Sequence, residues 1–102
     1  MLPKDVTEHE PIFERELTTR RPAGGQILAV AIVQLDTSEW IINVQVSWKG
    51  NIWLDVCLWE RRTLKRYKRL SRAIRHVILD YGYDEGHITV IPNKAGKNVN
   101  SF

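Results

Sequence analysis

WKGNIWLDVCLWERRTLKRYKRLSRAIRHVILDY, residues 48 to 81, decides the architecture of this chain. It runs from an apolar, aromatic stretch through a basic segment into an amphipathic one. Eight Lys or Arg lie between Arg61 and Arg75 with no acid among them. In the last third, Ala73, Ile74, Val77, Ile78 and Tyr81 recur at helical spacing, which predicts a helix over 71–81 with Ser71 as its N-cap. Gly82 then supplies a left-handed helix end. Residues 60–70 allow two readings. Leu64, Tyr67 and Leu70 would extend the stripe into one helix from about 62 to 81. That helix would carry Arg61, Arg62, Lys65 and Arg66 in its first turns, against the macrodipole. A short strand at 63–69 before the helix is therefore favoured.

Working back, Lys49-Gly50-Asn51 is a hairpin signal, since Gly50 or Asn51 can take a positive φ. Before it, Trp40, Ile42, Val44, Val46 and Trp48 alternate with Asn43, Gln45 and Ser47, the pattern of a strand over 39–48 with one face in the core. A three-residue loop would pair Trp48 with Ile52 and Val46 with Leu54. The next strand, 51–59, then turns Ile52, Leu54, Val56 and Leu58 to the core and Trp53, Asp55, Cys57 and Trp59 away from it. Residues 26–35, QILAVAIVQL, are apolar on both faces and read as a central strand. After the helix, His87 to Ile91 form a short β-branched strand stopped by Pro92.

The expected fold is α+β: an antiparallel sheet of three to four strands (26–35, 39–48, 51–59, with 63–69 as the fourth), a C-terminal helix on one face and a short final strand at 87–91. Residues 1–25, polar and holding Pro3, Pro11 and Pro22, read as an arm that is flexible or partly helical from Pro11 to Leu17. Residues 26–92 form one domain, and 93–102 read as a disordered tail.

Composition narrows the function. The 102 residues hold one domain's worth of apolar content, 15 bases and 12 acids. Five of the acids precede residue 17, which leaves the middle of the chain locally basic. A single cysteine excludes a disulfide scaffold. The opening residues lack the apolar core of a signal peptide, and no run is long enough to span a membrane, so a cytoplasmic protein without membrane partners is expected.

Catalytic or cofactor chemistry finds little to stand on. Cys57 and His9, His76 and His87 are scattered without a nucleophile and base pairing, and His76 falls at the edge of the helix stripe. Asp84, Glu85 and His87 read as a solvated acidic turn rather than a metal site. No enzyme and no cofactor is expected. The basic segment carries more. Arg61, Arg62, Lys65, Arg66, Lys68, Arg69 and Arg72 can neutralise phosphates, and Trp53, Trp59 and Tyr67 offer rings on which unpaired bases stack. A small nucleic-acid-binding protein, for single-stranded DNA or RNA, is the expectation. Its rival is a protein-interaction or homodimerisation module using the Trp-bearing sheet face.

Overall fold

A computed structural model describes residues 9–58 and 63–93 of the chain. The elements are β1 (Glu10–Phe13), α1 (Glu14–Leu17), β2 (Ile27–Gln34), β3 (Trp40–Val46), β4 (Leu54–Cys57), α2 (Leu70–Leu79), a 3-10 turn (Glu85–His87) and β5 (Ile88–Ile91). They build one five-stranded sheet in the order β1-β4-β3-β2-β5. The α+β class holds, but the sheet is mixed rather than antiparallel. β1 pairs parallel with β4 and β5 parallel with β2, while β3 is antiparallel to both of its neighbours. Only β3 runs against the rest. The cause is connectivity: α1 with the loop after it, and α2, each carry the chain across the sheet, and a strand that returns by such a crossover lands parallel.

β1 is the strand the sequence conceals. Glu10-Pro11-Ile12-Phe13 pairs with Leu54 to Cys57, an edge position that tolerates Pro11. The helical turn expected between Pro11 and Leu17 survives only as α1.

The β3-β4 register also departs from expectation. Val44 faces Leu54 and Asn43 faces Asp55, two residues from the proposed Val46 pairing. The slip is even, so every side chain keeps its face. The end of β3 stays with β2 instead, where Val46 pairs with Ile27 and Ser47 N donates to Gln26 O at 2.9 Å. Ser47 to Trp53 become the connecting loop, in which Gly50 (φ 75°) and Asn51 (φ 60°) take the positive φ expected of them. Ile52 and Leu58, expected in the core, are each 44% exposed because β4 is shorter than the apolar run around it.

Residues 63 to 67 are extended, which removes the single long helix. They make two isolated bridges, Leu64 to Cys57 and Tyr67 to Trp40, rather than a continuous fourth strand. Trp40 N donates to Tyr67 O at 2.7 Å and Tyr67 N to Trp40 O at 2.9 Å. α2 then starts at Leu70 with Arg69 at the N-cap position and no side-chain cap bond, so Ser71 is inside the helix. Gly82 (φ 70°) ends that connection in the left-handed region.

α1 and α2 cover one face. The main core gathers Ile12, Leu17, Val30, Ile32, Ile42, Val44, Leu54 and Val56 under Ala73, Val77 and Tyr81. The opposite face is not bare. Ile41, Cys57 and Leu64 form a second cluster with Phe13, Val33 and Leu35, and Asn43 and Asp55 are buried there too. Asn43 Nδ2 donates to Asp55 Oδ1, and His9 Nδ1 faces the same oxygen at 3.1 Å. Burial nonetheless raises the Asp55 carboxyl above its usual range, outweighing the bonds from His9 and Asn43.

Candidate nucleic-acid interface

The extended segment and the helix distribute the basic residues differently. From Thr63 to Tyr67 successive side chains alternate. Leu64 is buried, and Lys65 turns toward α1, where Nζ lies 3.6 Å from Glu14 Oε1 and 5.6 Å from the centre of the Tyr67 ring. Arg66 points the other way and pairs with Glu39 at 3.6 Å. These two cations are already matched by acids. Lys68 and Arg69 lead into α2, and Arg72 and Arg75 follow at a spacing of three. All four are exposed, and none pairs with an acid among the described residues. Arg75 was no part of the expected set and joins it through the helix pitch.

Of the expected aromatic companions, Trp53 and Tyr67 do not gather. Trp53 is half-buried in the loop before β4, in the parity of Asp55 and Cys57, which face away from α2. Its level on the sheet lies near Gln45, whereas Tyr67 sits opposite Trp40. Five strand residues, roughly 16 Å, separate the two levels. Of the expected aromatic residues that are described, only Tyr67 lies beside the basic row. Arg61, Arg62 and Trp59 fall outside the described residues.

Beside α2 runs a cleft of about 550 Å³ lined by Tyr67, Ser71, Arg72, Arg75, His76, Leu79 and Asp80. Its back is a polar hub. Glu14, delivered by the turn from β1 into α1, accepts a hydrogen bond from Tyr81 OH at 2.9 Å and faces His76 Nε2 with the same oxygen. The other imidazole nitrogen, Nδ1, faces Asp80 Oδ2 one helical turn on. Both ring nitrogens thus meet carboxylates, which hold the ring from two sides. Tyr81 meets the His76 ring edge-on at 4.8 Å, and Tyr67 lies tilted against it at 5.8 Å. Arg21 braces the hub from behind, donating to Leu17 O at 2.7 Å and to Tyr81 O at 2.8 Å.

Electrostatics follow from this packing. Burial alone would raise the Glu14 carboxyl, but the bonds to His76 and Tyr81 and the charge of Lys65 outweigh it and hold Glu14 below its usual range. Burial first, and the Glu14 charge second, push the Tyr67 and Tyr81 phenols well above theirs. Neither phenol donates a proton to solvent at neutral pH.

The hub went unnoticed in the sequence, although one part was legible: His76 and Asp80 are four apart on the helix. Glu14 carried no signal, because its approach depends on the unforeseen pairing of β1. The Asp84 and His87 pair forms a capped turn, with Asp84 Oδ1 accepting from Gly86 N at 3.0 Å and Oδ2 facing His87 Nδ1 at 3.0 Å. Among the described residues no group of three or more His, Cys, Asp or Glu could hold a metal ion, and no helix is long and apolar enough to cross a membrane. Comparison with protein-family models, with curated proteins and with solved structures returns no match.

Proposed function

We propose that the protein is a small non-enzymatic nucleic-acid-binding protein that holds phosphates along the row Lys68, Arg69, Arg72 and Arg75. The observation that carries this reading is the division of the basic segment. Lys65 and Arg66 are matched by Glu14 and Glu39, while the other four described cations stand exposed with no acidic partner among the described residues. Repeated cations a helical turn apart suit the regularly spaced charges of a phosphate backbone, and they supply affinity that depends on salt rather than on sequence. The buried Cys57 thiol fits a reducing compartment such as the cytoplasm.

Dimerisation through the Trp-bearing face has less support, since Asn43, Asp55 and Cys57 on that face are already buried within one chain. Fluorescence anisotropy with labelled single- and double-stranded 20-mers, at about 50 mM salt and upward, tests the first reading. Binding that weakens steeply with salt and is lost in Arg72→Glu/Arg75→Glu is expected. No binding at tens of micromolar protein, or binding indifferent to that double variant, overturns it.

A further inference from the structure

The geometry points to a single-nucleotide subsite in the cleft beside α2, one that takes an unpaired nucleotide whose base carries an exocyclic amine. It rests on the nucleic-acid reading and deepens it, from charge alone to a preference among bases.

Three features of the cleft carry the inference. Arg72 and Arg75 line one end, exposed and without an acidic partner among the described residues, and are suited to one phosphate. Asp80 lines the other end. Asp80, at the C-cap, follows Arg75 by five residues, about 7.5 Å of rise along the helix axis, and that axial offset is within the length of one nucleotide. Leu79, 65% exposed, lines the same cleft as Tyr67 and offers an apolar surface that a flat base covers from water.

Asp80 sets the preference. Its Oδ2 is engaged by His76 Nδ1, and its side chain remains 52% exposed. Oδ1 makes no hydrogen bond to a described residue. An ionised carboxylate only accepts, so the group that meets it must donate. The exocyclic amine of cytosine or adenine does so, as does the amine-bearing edge of guanine. In uracil and thymine the one ring N–H is flanked by two carbonyls, whose lone pairs face a carboxylate unfavourably. His76 positions Asp80 and is itself held by Glu14 from behind, so the acceptor is fixed before the base arrives.

CMP and UMP test this effect, because the two share sugar and phosphate and differ only in the base edge, an amine beside a ring acceptor in cytosine and a carbonyl beside a ring N–H in uracil. The experiment displaces a labelled single-stranded 12-mer from the full chain with each nucleotide, and maps each on the backbone amides of residues 71–80 by NMR. CMP is expected to displace at about fivefold lower concentration than UMP, the effect of one net hydrogen bond. Asp80→Asn, which can donate as well as accept, should bring the two within about twofold. Arg75→Gln should weaken both alike by roughly threefold to tenfold. Equal displacement by CMP and UMP in the wild type, or displacement without shifts at residues 71–80, overturns the subsite. If neither nucleotide competes while the 12-mer still binds through Arg72 and Arg75, the subsite fails and the phosphate row stands. Failure of the 12-mer itself to bind removes both.

Discussion

Glu14→Gln separates what the carboxylate charge contributes at the hub from what its shape contributes. The side chain is one-quarter exposed and takes three partners, His76, Tyr81 and Lys65, the last at 3.6 Å. Glutamine keeps the volume but has one acceptor oxygen. His76 Nε2 and Tyr81 OH share Oε2, so the single oxygen of glutamine can take that place but is neutral, and the amide N–H turns to Lys65. Two bonds to a charged acceptor, about 1.5–3 kcal/mol each, fall to the roughly 0.5–1.5 of neutral ones, about 1 lost per bond, and the quarter-exposed Lys65 pair adds no more than about 1. A loss of about 2.5 kcal/mol follows, or roughly 10–20 °C in Tm for a domain of this size.

The pH dependence has a definite sign. Glu14 is held below its unfolded value of 4.5, so the stability it contributes is fully present above that value and is lost as pH falls through the lower folded value. Urea unfolding followed by tryptophan fluorescence at pH 7, 5 and 3 measures both effects. The gap between wild type and Glu14→Gln should be full at pH 7 and shrink by pH 3. A gap below about 0.5 kcal/mol at pH 7, or one that stays constant down to pH 3, would refute the hub as a stabilising element.

Asp55 should behave in the opposite sense. Burial raises its carboxyl, so the ionised form costs stability as pH rises through the raised value, and Asp55→Asn should gain on the wild type between pH 4 and 7. A difference that is flat or falls over that range counts against it. Gly25→Ala places a Cβ 2.7 and 2.8 Å from the Trp48 ring and 3.0 Å from Pro22 O. A cost of about 1–3 kcal/mol with altered tryptophan emission is expected, and unchanged stability would mean that the ring moves freely. Val77→Ala, at a position with no exposure, should cost about 2 kcal/mol in the same unfolding assay. The double variant Arg72→Gln/Arg75→Gln should reduce the slope of log affinity for a single strand against log salt by about 0.7, the loss of one phosphate contact, while an equal effect from Arg66→Gln would argue against the row.

Much of the fold was readable where periodicity and burial agree. The two-sided apolar run at Ile27 to Gln34, the alternation through Trp40 to Val46 and the stripe of Ala73, Val77 and Tyr81 each name their element. β1 was not readable. Four residues with a proline carry no period, and their partner strand lies far along the chain, so only tertiary pairing makes them a strand. Ile52 and Trp53 misled in the other direction: they continue the strand pattern, but β3 keeps its hydrogen bonds to β2 and leaves them in a loop. For the site, charge density was legible and its division was not. Which cations remain unmatched depends on Glu14 and Glu39, acids that are distant in sequence and brought close by the sheet.

The placement of β1 on the outer edge of β4 has a consequence for the order of assembly. Ile12 cannot find Val56 until synthesis has passed that residue, although it leaves the ribosome first. The central strands β2, β3 and β4 are sequence neighbours and can pair without it. If these strands pair first, the N-terminal segment docks onto them afterwards and Glu14 reaches His76 at that step. In native-state hydrogen exchange, β1 and α1 should open together as one unit of lower stability than β2 and β3, and each opening would strip the cleft of its back wall while α2 stays folded.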